Sequence, residues 1–166
     1  MKGFILSIHF LLFSSLAMAQ LERKDVENIL PSELVKTLKD RDLVKVEKTF
    51  EKKINSKEAD ALYLDYFGKK NDVTLGIKDK KVSYLYVRIP TEIQKKQNDL
   101  FDKAYDSLTQ KEQEALNKKI AEDSSHGKGQ FTTLDLPKKS MRLEFFNDEK
   151  RTLRSILLWP EGEKLP

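Results

Sequence analysis

The sequence contains no cysteine among its 166 residues. This absence excludes disulfide bonds, zinc sites built on thiolates and catalysis by a thiol nucleophile. It also excludes a lipid anchor of the bacterial lipoprotein type, which needs a cysteine directly after the signal segment. A chain of this length can bury a sufficient core by packing alone.

Histidine is almost as scarce, with only His9 and His126 present. A Ser-His-Asp triad would require a strained serine turn with oxyanion donors, and nothing of this kind surrounds His126. We therefore interpret His126 as a solvated loop residue and predict no catalytic residues. We also predict no metal and no cofactor, because the sequence contains neither a calcium-loop pattern nor a G-x-x-x-x-G-K-[ST] phosphate loop.

An excess of one charge sign is also lacking. The chain has 31 Lys and Arg residues against 27 Asp and Glu residues, for a formal net charge of +4. Opposite charges alternate, as in Glu22-Arg23-Lys24-Asp25, whereas a nucleic-acid binder normally carries a concentrated basic stripe. We predict no nucleic-acid partner and attribute the charges to solubility.

A long hydrophobic run occurs only at the N-terminus. Lys2 precedes an apolar stretch from Phe4 to Leu16, and Ala17-Met18-Ala19 forms a small-x-small cleavage pattern. This arrangement is typical of a signal peptide and is too short for a spanning helix. We predict residues 1–19 to be a signal peptide cleaved after Ala19, giving a periplasmic or secreted protein without a transmembrane segment. The alternative is an uncleaved anchor at the membrane.

The pattern of apolar residues predicts an α+β fold. Spacings of three and four from Leu21 to about Phe50 predict amphipathic helix divided at Pro31-Ser32, with Ser32 as the candidate N-cap. The segment 43–50 fits a strand equally well. Residues 61–90 contain ALYLDYF, DVTLGI and VSYLYVRI, which predict an antiparallel meander of three strands.

The second half repeats this order of elements. Thr91 with Gln94 and Thr109 with Glu112 predict two capping boxes and thus two consecutive helices. The segments FTTLDL, MRLEFF and TLRSILLW then predict three more strands. The fold class is therefore an antiparallel meander, or two meanders, packed against amphipathic helices.

Several short matches suggest an internal repeat. Leu64-Asp65, Lys69-Lys70 and Pro90 recur about seventy residues later as Leu134-Asp135, Lys138-Lys139 and Pro160. They predict two tandem modules of a helix plus three strands, 20–90 and 91–166, which form either one sheet within a continuous domain or two units. Coincidence in a lysine-rich chain is the alternative. The layout is similar to the tandem modules of secreted β-lactamase-inhibitor proteins and to small outer-membrane assembly modules, in architecture only.

The strand regions carry more aromatic residues than one thin core requires. Tyr66-Phe67 and Phe145-Phe146 place aromatics on opposite sides of a strand, which exposes one member of each pair unless helices cover both faces. Exposed aromatics on a sheet are typical anchors of protein recognition. The predicted partner-binding residues are Tyr66, Phe67, Tyr84, Tyr86, Phe145, Phe146 and Trp159.

These observations predict a non-enzymatic, exported protein that binds another macromolecule of the bacterial cell envelope or periplasm, as an assembly component, adaptor or inhibitor. The expected partner is a protein. One alternative is a carboxylate-dependent hydrolase of cell-wall sugar, for which Asp65 and Asp135 occupy matching strand positions. The other is a periplasmic chaperone-like protein that uses the helices between Thr91 and Glu122.

Overall fold

A computed structural model of the chain describes residues 20–54, 59–94, 97, 99–125 and 130–165. The predicted signal peptide, residues 1–19, and the loop residue His126 lie outside these ranges. No helix within them is both long and apolar enough to cross a membrane.

Helices and strands occur in the order that the α+β prediction requires. The helices are α1 (Arg23–Glu27), α2 (Ser32–Asp40), α3 (Leu43–Phe50), α4 (Thr91–Gln94), α5 (Leu100–Asp106) and α6 (Gln110–Ser125), with a short 3₁₀ helix at Pro137–Lys139. The strands are β1 (Ala61–Leu64), β2 (Val73–Lys78), β3 (Lys81–Arg88), β4 (Phe131–Leu136), β5 (Met141–Phe146) and β6 (Leu153–Leu158).

Local capping decides the ambiguous segment 43–50 in favour of a helix. The Asp42 carboxylate accepts hydrogen bonds from the backbone N–H groups of Val44 and Lys45, which would otherwise lack partners in the first turn of α3. The prediction of Ser32 as an N-cap is wrong. Pro31 occupies that position and Ser32 is the first helical residue, because the proline ring fixes a backbone angle suited to a helix start.

One of the two predicted capping boxes forms. The Glu112 carboxylate accepts the N–H of Thr109 at 2.7 Å, and the N–H of Glu112 donates to the Thr109 hydroxyl at 3.4 Å, so α6 begins as predicted. Thr91 instead lies within α4, and the Gln94 amide donates to the carbonyl of Ile89. The single helix predicted from Thr91 is therefore divided into α4 and α5.

All six strands of the described part form one antiparallel sheet in the order β1-β2-β3-β6-β5-β4. The two meanders join where β3 pairs with β6, which we call the seam, with Leu85 opposite Leu158 and Val87 opposite Ile156. The α+β fold is therefore confirmed. The internal repeat stays a prediction, because its matched residues do not occupy equivalent positions. Asp65 follows β1, whereas its match Asp135 lies inside β4.

One face of the sheet carries the core. Alternate strand residues such as Leu75, Leu85, Leu143 and Ile156 are buried in a single hydrophobic cluster that also includes side chains of α1, α2, α3 and α5. The strand alternation places every second residue on the opposite side, where the side chains are mostly half-buried or exposed. The helices therefore cover one face only in the described part of the chain.

The first strand ends earlier than the sequence predicts. Residues 66 and 67 lie in a turn rather than on β1, because the carboxylate of Asp72 accepts the backbone N–H groups of Tyr66, Phe67 and Lys69 at 2.7 to 3.0 Å. Asp72 is 1% exposed, so these three bonds satisfy a buried charge. The expectation that Tyr66-Phe67 straddles a strand is therefore wrong.

Arg23 connects α1 to the end of the sheet. Its guanidinium donates to the carbonyl oxygens of Ser140 at 2.9 Å and Trp159 at 2.8 Å, and it forms an ion pair with Glu27 at 2.8 Å. The side chain is 11% exposed, so these bonds are shielded from water. Glu27 also pairs with Lys39, whose side chain is 61% exposed.

We expect Arg23→Met to lower the free energy of unfolding by about 2–4 kcal/mol, because two buried carbonyls and Glu27 lose a charged donor. The matched control is Lys39→Met, which removes an exposed partner of the same carboxylate and costs no more than about 1 kcal/mol. Urea denaturation of both variants measures the difference. Equal losses would show that Arg23 does not connect these elements.

Candidate binding face

The side of the sheet opposite the core, which we call the open face, bears a row of side chains in register across all six strands. Cross-strand pairing places Tyr63 opposite Thr74, Thr74 opposite Tyr86, Tyr86 opposite Leu157, and then continues to Arg142 and Asp135. One half of the row is therefore aromatic and apolar, and the other half is charged.

The aromatic half forms a shallow groove of about 520 Å³, lined by Tyr63, Thr74, Tyr84, Tyr86 and Leu157. Tyr63 is 52% exposed and belongs to the few large hydrophobic residues that are exposed in the described part. Partial burial raises the pKa of the Tyr84 phenol, and the neighbouring Tyr63 and Asp60 raise it further. The Tyr84 phenol is therefore a neutral donor and acceptor at physiological pH.

Gly76 allows the Tyr84 ring to lie flat on the sheet. The two residues are directly opposite each other on β2 and β3, and a Cβ atom at Gly76 would lie 1.9 Å from Cε1 and 2.1 Å from Cδ1 of Tyr84. A ring that covers a strand glycine in this way fills the space left by the missing side chain. Any larger residue at position 76 must displace Tyr84 from the groove.

The charged half consists of ion pairs between neighbouring strands. Arg142 pairs with Asp135, and Arg154 donates to the Glu144 carboxylate at 2.7 Å. A bulge in β6 lets the side chains of Arg154 and Ser155, although consecutive, both reach Glu144. The Ser155 hydroxyl donates to the Glu144 carboxylate at 3.0 Å. Arg142, Glu144 and Arg154 line a second depression of about 350 Å³, which shares Tyr86 and Leu157 with the tyrosine groove.

The structure brings three of the predicted binding residues to the open face. Tyr84 and Tyr86 lie in the groove, and Phe146 lies farther along the same face, with its ring centroid 5.4 Å from that of Phe131. Phe145 and Trp159 are 0% and 1% exposed. These two are core residues, because Phe145 packs edge-on against Phe101 on the helix-covered side and the Trp159 indole donates to the Glu163 carbonyl at 3.0 Å.

Tyr66 and Phe67 lie in the turn after β1 and outside the tyrosine groove. The Tyr66 hydroxyl donates to the Glu33 carboxylate, and its ring packs edge-on against Phe50 and Phe67. Partial burial is the main cause that raises the pKa of Tyr66 to about 12, and the hydrogen bond to Glu33 is the second. The pair of Tyr66 and Glu33 thus ties α2 to this turn.

The predicted set lacks Tyr63 and Leu157. The alternation of side chains within ALYL and SILL was enough to place both residues on the face opposite their buried neighbours. Their proximity to Tyr86 could not be predicted, because it depends on the pairing of β1, β2 and β3 and on the seam. Those long-range pairings have no local sequence signal.

The acids of the hydrolase alternative do not meet. Asp65 follows β1 and Asp135 lies in β4, and these are the two outer strands of a six-stranded sheet, about 24 Å apart at normal strand spacing. A glycosidase needs its carboxylates within about 10 Å. Within the described ranges, no group of three or more His, Asp or Glu side chains is arranged to hold a metal ion.

The helices of the chaperone alternative differ in their packing. Leu100 and Ala104 of α5 are buried in the core, whereas Leu116 of α6 is half-buried against it. Ala115 and Ala121 of α6 are exposed. These helices therefore pack chiefly through α5, and α6 presents a mostly polar surface.

A scan against protein-family models, a search of curated proteins and a search of solved structures each found no match. The architectural similarity to β-lactamase-inhibitor and outer-membrane assembly modules therefore gains no support. Inference about function depends on the open face itself.

We expect Gly76→Ala to move the Tyr84 ring out of the groove, because its Cβ would overlap two ring carbons. The exposed phenol should then titrate closer to its ordinary pKa, since burial is the main cause of the raised value. Tyrosine-selective NMR against pH measures this, with Gly76→Ala in a Tyr84→Phe background identifying the signal. An unchanged Tyr84 resonance would contradict the close packing of ring and glycine.

Proposed function

We propose that the protein is a non-enzymatic, exported binding protein of the bacterial cell envelope or periplasm, and that its open face binds a protein partner. The observation that carries this proposal is the row of Tyr63, Tyr86 and Leu157 in register on the sheet face that the described helices leave uncovered. Such a protein would act as an assembly component, adaptor or inhibitor.

The composition of the face supports a protein partner. Tyrosine and arginine are the residues that dominate binding energy at protein interfaces, and both occur here beside apolar Leu157. Tyr84 and Tyr86 are both half-buried on β3, so their side chains lose little conformational entropy on binding. A preformed sheet surface therefore offers anchors at low entropic cost.

The shape of the face supports a macromolecule over a small molecule. The groove and the ion-paired depression beside it are shallow and continuous, whereas small-molecule sites enclose most of their ligand. The ion pairs of Arg142 and Arg154 lie next to the tyrosines. A polar rim beside an apolar centre is typical of protein interfaces.

We expect a photo-reactive benzoylphenylalanine at position 63 or 86 to form the same discrete cross-linked protein adduct in intact cells. The matched control is position 44 on α3, because Val44 is 73% exposed and therefore more accessible than Tyr63. Mass spectrometry identifies the adduct. Gly76→Ala, which disturbs the groove without removing a tyrosine, should reduce its yield.

Two results would contradict the proposal. One is a cross-link from position 44 equal to those from positions 63 and 86, which would indicate random collision. The other is the absence of any adduct from both face positions in cells that produce the protein at its natural level.

Export has a separate test. Produced with its own N-terminus in a Gram-negative host, the protein should be recovered from the periplasm or medium with the mass of residues 20–166, since the cleavage pattern ends at Ala19. Replacing Ala17 and Ala19 with Gln should block this processing. Recovery of the full-length wild-type chain from the cytoplasm would contradict export.

A further inference from the structure

A third depression, of about 400 Å³, lies next to the seam, where the open face meets the turn after β1. Its lining includes three phenylalanines and three cations, together with the buried acid Asp72; these residues are Phe67, Phe131 and Phe146, and Arg88, Arg154 and Lys69. It adjoins the ion-paired depression, because Arg154 lines both. The open face thus continues from tyrosines through ion pairs to a site with phenylalanine walls and several cations.

Arg88 differs from the other arginines of the chain. All six lie in the described part, and the other five donate hydrogen bonds. Arg23, Arg41, Arg142, Arg151 and Arg154 bond to carboxylates, carbonyls or Asn147. No hydrogen bond or ion pair of the Arg88 side chain is present among the described residues, and the residue is exposed.

Two acids near Arg88 in the strand pairing are already engaged. Asp72, whose carbonyl accepts the Arg88 backbone N–H at 2.7 Å, uses its carboxylate to bind three N–H groups of the turn. Glu144, across the seam, binds Arg154 and Ser155. The Arg88 guanidinium therefore keeps its planar set of donors free for a group from outside the described chain.

We propose that Arg88 and the phenylalanines that line the same depression form a carboxylate-binding subsite, which receives the C-terminal carboxylate of the protein partner. A guanidinium binds a carboxylate through two parallel hydrogen bonds, and the phenylalanines offer apolar contacts to the side chain next to that carboxylate. This inference rests on the proposed function and specifies the chemistry of the partner.

The charge balance favours a single carboxylate over a lipid surface or nucleic acid. Arg154 is neutralised by Glu144 and Arg142 by Asp135, so Arg88 and the exposed Lys69 are the cations left over along this row of depressions. Polyanionic surfaces are bound by several unpaired cations together. One free guanidinium in a depression lined by phenylalanines matches one C-terminal carboxylate with an apolar side chain beside it.

The test uses the Arg Nε–H signals in NMR spectra of the full mature chain. N-acetyl-phenylalanine serves as the probe because it combines a carboxylate with an aromatic ring, and its neutral amide is the matched control. The Arg88 signal should shift and saturate with the acid and not with the amide. Phe131 and Phe146 ring signals should shift with the same concentration dependence.

Variants separate Arg88 from general surface charge. Arg88→Gln should abolish the saturable shifts of the phenylalanine rings, and it should leave the fold intact because the side chain has no partner among the described residues. Arg41→Gln, which removes an arginine that pairs with Glu163 away from the open face, should preserve these shifts. Arg88→Lys should weaken binding by about tenfold, because the ammonium lacks the two-pronged geometry.

Three outcomes would overturn the inference: no saturable shift with the acid, an equal shift with the amide, or tighter binding of inorganic phosphate than of the acid. The cross-links from positions 63 and 86 distinguish the two proposals. If they persist while the probe fails, the subsite is wrong and the proposed function stands. If the probe binds and no cross-link forms, the subsite stands and the proposed function is wrong.

Discussion

The pairing of β3 with β6 joins the two meanders into one sheet and fixes which side chains each face carries. On the covered side it brings Leu85 against Leu158 and Val87 against Ile156, so the two meanders share one core. On the open side the same pairing places Tyr86 against Leu157 and Arg88 beside Ser155. Because side chains alternate strictly along a strand, a slip of one residue would exchange core and surface along the whole seam.

The open face carries both side chains that are already paired and side chains that can make further contacts. Its ion pairs link neighbouring strands and leave little net charge, whereas the tyrosines around Gly76 and the guanidinium of Arg88 have capacity for further contacts. Exposed ion pairs contribute little to stability, so these charges serve mainly to border the face. Arg88 follows Tyr86 by two residues on β3, so both side chains lie on the same side of the strand. The aromatic groove and Arg88 are therefore parts of one surface.

Local sequence signals predicted the strands and the Thr109 capping box. They failed where a side-chain cap or burial decides between structures that the apolar pattern allows equally. Asp72 ends β1 before Tyr66-Phe67, and the helix at residues 43–50 depends on the Asp42 cap together with burial of Leu43 and Val46.

The surroundings of Trp159 and Arg88 depend on residues far away in the sequence. The Trp159 backbone bonds to Ser140 and Arg23, and Arg88 lies opposite Ser155 across the seam. No short window of sequence contains these partners.

One face of a single six-stranded sheet is open in the described part of the chain and carries the tyrosines. An NMR experiment on the mature protein with a soluble paramagnetic probe, combined with cross-strand nuclear Overhauser effects between β3 and β6, tests this arrangement. We expect strong broadening of the Tyr63, Tyr84 and Tyr86 rings, none for Phe145 and Trp159, and contacts linking Val87 to Ile156. Protected tyrosine rings, or the absence of contacts between the two meanders, would contradict it.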